Sequence, residues 1–222
     1  MYPHRYKFGK QKTIMKLPEF QSALDQSDLE LEAKAYAVLL WNTGVRKSEA
    51  YERVLEDTTV TKDLVVVDFH KRKKGGEEVP PLQIPRAFAG VNEYLVKWIS
   101  EAAELKPSRK RLYFQVMTAA TRVTLKGKVV SVKHRESRIE KARWLFPNIQ
   151  STSAWKIVKD LLGKEYYPHY LRLRKLSAVA KNPATKSIIH IKSISGLKSL
   201  RAIEAYMGVD AESADEAMRG SE

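Results

Sequence analysis

The sequence contains no cysteine. Disulfides, cysteine-ligated metals and thiol nucleophiles are therefore excluded. Long apolar runs are also missing, and none approaches the ~18 residues that a membrane-spanning helix needs. The basic start, MYPHRYKFGKQK, is not followed by an apolar stretch, so it does not read as a signal peptide. A cytoplasmic protein with no membrane partner is expected. Carboxylates are scattered, and no Asp, Glu and His cluster has the spacing of metal ligands. No metal and no cofactor are expected. Internal repeats and low-complexity linkers are absent as well.

Positive charge is present in excess. Lysine and arginine number 40 against 26 acidic residues, a formal net charge of +14 over 222 residues. A surplus of this size suits a polyanion, most simply nucleic acid. Hydrophobic residues make up 43% of the chain, enough for a sizeable core.

Periodicity divides the chain into helices with a small β portion. Residues 1–16 read as a basic arm. Leu17-Pro18-Glu19-Phe20 reads as a helix start with proline in the first turn. Ser27-Asp28 is a candidate cap for a second helix, which carries Leu29, Leu31, Ala35, Val38, Leu39 and Trp41 and stops at Gly44. A short helix from Lys47 to Leu55 should follow. The β-branched run Leu64 to His70 predicts a strand, Lys73 to Gly76 a turn, and Glu77 to Ile84 a return that Pro80 and Pro81 keep at an edge or cut short. A 3.6-residue period predicts a helix from about Val91 to Leu105.

Residues 109–143 are unusually basic. Alternation around Val123 and Leu125, Gly127, and a return through Val129 to Val132 predict a hairpin. Its Lys126, Lys128, Lys133 and Arg135 are candidate DNA contacts, although an ordinary solvated hairpin would look the same. Further helices are predicted at 153–162, at 169–180 behind Pro168, near 186–193 and across 198–206. The end, Asp210 to Glu222, turns acidic. The expected class is α+β, mainly helical, with a small antiparallel sheet. The expected organisation is an arm over 1–16, one domain over 17–208 with 109–143 as an insertion, and an acidic tail over 209–222.

Chemistry concentrates in a few places. A phosphodiester under attack gathers negative charge on its non-bridging oxygens, and fixed donors aimed there stabilise the transition state. Arginine suits the task because its planar fork matches phosphate and stays charged. Arg46 follows the glycine that ends an apolar helix. His169 and Arg172, three residues apart, share one helix face. Tyr206 is a candidate nucleophile. Its phenol, with a pKa of about 10 when unperturbed, would ionise more readily beside arginines and a lysine. Attack on phosphorus would give a covalent phosphotyrosine that conserves the bond energy. The turn lysines Lys71, Lys73 and Lys74 are candidates for protonating the leaving oxygen.

Together these motifs resemble the catalytic domain of the tyrosine recombinase, or phage-type integrase, family. The family's first motif, Thr-Gly-x-Arg-x-x-Glu, is matched by Thr43-Gly44-Val45-Arg46-Lys47-Ser48-Glu49. Its second, His-x-x-Arg, is matched by His169-Tyr170-Leu171-Arg172. Its hairpin lysine corresponds best to Lys74, with Lys73 and Lys71 as alternatives. Its nucleophile stands nine residues after a Gly-His pair, and here Tyr206 stands nine after Leu197. Leu197 departs from the usual His or Trp and cannot donate a hydrogen bond. Lys198 or His190 is the candidate substitute.

The resemblance covers residues 17–208. It implies metal- and ATP-independent cleavage and rejoining of double-stranded DNA through a 3′-phosphotyrosine on Tyr206. Arg46 and Arg172 would hold the phosphate, His169 would assist proton removal, and Lys74 would protonate the 5′-oxygen. It further implies a homotetramer on DNA and, in most members, an additional N-terminal DNA-clamping domain, so that a shortened chain or a small family member is expected. A type IB topoisomerase-like nicking and sealing enzyme and a decayed DNA-binding module are the alternatives.

Overall fold

A computed structural model describes residues 15–69, 81–86, 90–106, 109–125 and 128–180, with backbone alone for the two strands between 109 and 142 and for Ser177 and Ala180. Among the described residues five α-helices surround a buried sixth. Helix α1 (Leu17–Gln26) begins with Pro18 in its first turn, where a missing N–H costs no hydrogen bond. Helix α2 (Leu31–Thr43) is apolar almost all round, and every residue from Ala35 to Trp41 is buried. A helix without a polar face has to sit inside the fold. It packs against α3 (Lys47–Tyr51), α4 (Val91–Ala103), α5 (Ser151–Leu162) and α6 (Pro168–Ala180).

The start of α2 differs from expectation. Its N-cap is Glu30, without a side-chain cap, whereas Ser27 closes α1 and its hydroxyl donates to the Leu24 carbonyl at 3.2 Å. A serine between two helices can serve either end, and sequence alone does not choose. The end of α2 is as expected. Gly44 adopts a left-handed conformation (φ 61°) and its N–H bonds the Leu40 carbonyl at 2.9 Å.

A three-stranded antiparallel sheet of order β1-β2-β3 lies beyond α3. Strand β2 (Leu64–Val67) is central, flanked by β1 (Thr58–Val60) and β3 (Leu82–Pro85). Valines 65 and 67 alternate into the core. Strand β1 was not anticipated, because Thr58-Thr59-Val60 is too short to show a period. The expected helix to Leu55 ends earlier, at Tyr51, and a 3-10 turn at Leu55–Asp57 leads into β1. Strand β3 holds an edge, where the nearby prolines remove no inner hydrogen bond.

Buried polar groups tie the layers together. Asn42 Nδ2 donates to Asn92 Oδ1 (2.7 Å), and Asn92 Nδ2 donates to the Pro85 carbonyl (2.5 Å), joining α2, α4 and β3. Arg53 Nε donates to the Glu49 carbonyl (3.0 Å) and its Nη1 to the Asp68 carbonyl (3.1 Å), pinning the end of β2 to α3. Trp98 Nε1 donates to the Leu145 carbonyl at 2.6 Å.

The basic segment forms a separate antiparallel ribbon of β4 (Arg109–Leu125) and β5 (Lys128–Ala142). These strands are far longer than the hairpin expected around Gly127. Register shifts between Phe114 and Val116, and between Thr118 and Thr121, interrupt the alternation and hide the strands from a period-two reading. Lys128, Lys133 and Arg135 lie on β5, with Lys128 opposite Leu125 and Arg135 opposite Met117. The expected helices near 186–193 and 198–206 lie outside the described residues, as do the 1–16 arm up to residue 14 and the acidic tail. Among the described residues no helix is long and apolar enough to cross a membrane.

Candidate active site

The two arginine motifs, far apart in sequence, meet in space. Gly44 ends α2, turns the chain through its left-handed conformation, and leaves its carbonyl unpaired within the helix. Arg172, on the second turn of α6, donates Nη1 to that carbonyl at 2.6 Å. The bond spans 128 residues of sequence. Arg172 is only 3% exposed, so this charge-assisted bond is made inside the protein.

Arg46 is built differently. Its backbone N–H donates to Glu49 Oε2, and its Nη1 donates to Glu49 Oε1, both at 2.7 Å. The buried Glu49 carboxylate thus caps α3 and orients the guanidinium at once, which is why glutamate three residues after the arginine matters. The Arg46 side chain remains 37% exposed, and its other N–H donors have no partner among the described residues. Its guanidinium is a fixed, half-open fork.

His169 lies within electrostatic reach of both. The imidazole pKa is pushed below its ordinary value, first by burial and then by the positive charges of Arg172 and Arg46. Both arginines therefore act on one ring. The neutral form persists to lower pH than in a free histidine, which suits a group that accepts a proton. Tyr167 lies against the imidazole with ring planes 2° apart and centroids at 6.4 Å.

The structure thus brings Arg46, His169 and Arg172 together. Lys71, Lys73, Lys74, Lys126, His190, Leu197, Lys198 and Tyr206 lie outside the described residues. Among the described residues no group of three or more His, Cys, Asp or Glu side chains is placed to hold a metal ion.

Motif reading missed some neighbours of the site. Lys175 packs beside Gly44, and burial, then the charge of Arg174, lowers its pKa. The available signal was its spacing of three from Arg172, on the same helix face. Arg174 lies 3.2 Å over the Trp41 ring, which itself stacks on Phe20. Nothing in the local sequence marks that contact.

Gly44 carries a direct test. A Cβ there would stand 3.0 Å from Lys175 Cβ, and φ is positive. Gly44→Ala is expected to cost about 1–2 kcal/mol for the left-handed backbone alone, with a further loss from the Lys175 contact. Chemical denaturation reads this as a lower midpoint.

No protein-family model matches the sequence, and no curated protein matches it. Solved structures are similar. The XerH site-specific recombinase in a pre-cleavage complex with its difH substrate superposes with a TM-score of 0.60 at 15% identity, over 92% of this chain and 52% of that one. The XerA recombinase gives 0.58 at 14% identity, over 96% and 66%. The Tn1549 transposon integrase in complex with circular-intermediate DNA gives 0.53 at 16% identity, over 95% and 66%. This is the tyrosine-recombinase fold. At such identities the likeness is one of fold, and the chain spans about half the length of the XerH structure.

Proposed function

We propose that this chain is a DNA strand-cleaving and rejoining enzyme, a site-specific recombinase or integrase that works through a 3′-phosphotyrosine. The observation that carries the reading is the Arg172 to Gly44 bond, which joins the helix bearing His169 and Arg172 to the turn that leads into Arg46. The recombinase fold of the XerH, XerA and Tn1549 proteins supports it, and two of these were solved on DNA.

In this mechanism Arg46 and Arg172 hold the non-bridging oxygens of the scissile phosphate. His169, neutral at working pH, takes the phenol proton of Tyr206. The phenol oxygen forms a bond to phosphorus while the bond to the 5′-oxygen breaks. Lys74, or Lys73 or Lys71, gives that oxygen its proton. Attack by another 5′-hydroxyl reverses each step and releases the tyrosine, with no ATP and no metal ion. The partner is double-stranded DNA, and the active assembly is a tetramer on it. Lys128, Lys133 and Arg135 on β5, with Lys126 and Lys198, are proposed to contact DNA outside the site.

The test is covalent trapping on nicked suicide duplexes, run in EDTA. A protein–DNA adduct is expected, forming as fast with chelator as without. Its rate at low DNA concentration should rise with pH along a limb centred below the ordinary histidine value, because His169 must be neutral. His169→Gln should flatten that limb. A reaction that stops in EDTA would overturn the proposal. Relaxation of supercoiled plasmid without a defined site would point to a topoisomerase instead.

A further inference from the structure

The exposed side of α5 carries an arrangement that the proposed chemistry does not use. Ala154, Ile157, Val158 and Leu161 face the core. Ser151, Trp155 and Lys159, four residues apart, form one exposed row. Trp155 is 40% exposed, unusual for so large an apolar side chain. Its ring carries two ammonium groups. Lys159 Nζ lies 5.6 Å from the ring centroid, and Lys47 Nζ, reaching over from the first residue of α3, also lies 5.6 Å away. Lys47 Nζ is further fixed by donating to Ser151 Oγ at 2.7 Å.

Two like charges over one ring repel each other. Neither lysine has a carboxylate partner among the described residues, and Asp160, the one acid on α5, pairs with neither. The indole face eases the repulsion by cation–π attraction without neutralising it. What such a pair lacks is an anion.

Its position says which one. Trp155 stacks on Tyr167 (5.8 Å), and Tyr167 lies against His169 (6.4 Å). Lys47 follows Arg46 directly in the chain. The paired lysines therefore border the phosphate site on one side. We propose that Lys47, Trp155 and Lys159 form a second phosphate subsite, which takes a backbone phosphate of DNA neighbouring the one held at Arg46. Trp155 is the positioning residue and the two ammonium groups are the contacts. The inference rests on the proposed function only for the location of the scissile phosphate.

The experiment measures binding of the full chain to a mixed-sequence DNA duplex over a range of salt. Each phosphate contact contributes about 0.9 to the slope of log K against log salt. Lys47→Gln and Lys159→Gln, which keep most of the side-chain length, should each lower the slope by part of 0.9, and the double variant by about 0.9. Trp155→Ala should weaken binding at fixed salt, and Trp155→Phe should restore most of it by returning an aromatic face. Lys97→Gln, an equal loss of charge on the exposed side of α4, should leave the slope unchanged. Equal slope losses in all three lysine variants, or no loss in Lys47→Gln and Lys159→Gln, would overturn the subsite. The two readings separate cleanly. Normal slope effects without any covalent adduct would remove the proposed chemistry and leave the subsite. A covalent adduct without slope effects would remove the subsite alone.

Discussion

Tyr206→Phe is expected to leave DNA binding intact and to abolish covalent capture of DNA. The phenol oxygen is the only atom removed, so salt-sensitive binding through some 40 basic side chains should survive. No other group in the proposed site can replace it. His169, its pKa lowered by burial and then by the charges of Arg172 and Arg46, is assigned to proton transfer, and the chain has no cysteine. The measurement is a denaturing gel of labelled suicide duplex after incubation with each protein. Wild type should give a slow-migrating adduct that protease digestion removes, and the phenylalanine variant none above background. Equal adduct from both would refute Tyr206 as the nucleophile and, with it, the mechanism built around that phenol. Adduct from neither, with binding preserved, would favour a decayed DNA-binding module, the reading that Leu197 first suggests.

The second large effect is expected at Arg172. Arg172→Lys keeps the charge but loses the planar fork. The native guanidinium bonds the Gly44 carbonyl at 2.6 Å from a buried position, and the proposed mechanism also sets it against the phosphate. A lysine ammonium is a point charge and cannot hold both in the same geometry. Removing a hydrogen bond to a charged group costs about 1.5–3 kcal/mol of stability. Losing a preorganised transition-state donor costs about 10²–10³ in rate. The variant should therefore melt several degrees lower and trap DNA about 10²–10³ times more slowly at a temperature where it remains folded. Measuring both matters, because a purely structural arginine would lower only the melting temperature. Arg46→Lys is the informative contrast. Arg46 is half open and pairs only with Glu49 among the described residues, so its loss should fall mainly on rate.

Much of the arrangement was legible in the chain, and the reasons differ from place to place. The end of α2 was readable because a left-handed residue after an apolar helix calls for glycine, and Gly44 supplies it. The start of α6 was readable because Pro168 can open a helix but not continue one. The shared face of His169 and Arg172 followed from helical geometry alone. Strand β1 and the full length of β4 and β5 were not readable, since the first is too short for a period and the others lose theirs at register shifts. The cap of α2 was misassigned because Ser27 has a competing use at the end of α1.

By itself the sequence determined the local pieces: which segments coil, where they stop, and which side chains each carries on a common face. Those properties depend on neighbours a few residues away. Tertiary structure alone decided that Gly44 and Arg172 touch across 128 residues, that burial and then two guanidinium charges lower the pKa of one imidazole, and that Lys47 and Lys159 share the ring of Trp155. Each of these arises when separate helices pack around α2. Burial and charge proximity, which set the strength of such contacts, exist only once the chain has closed on itself.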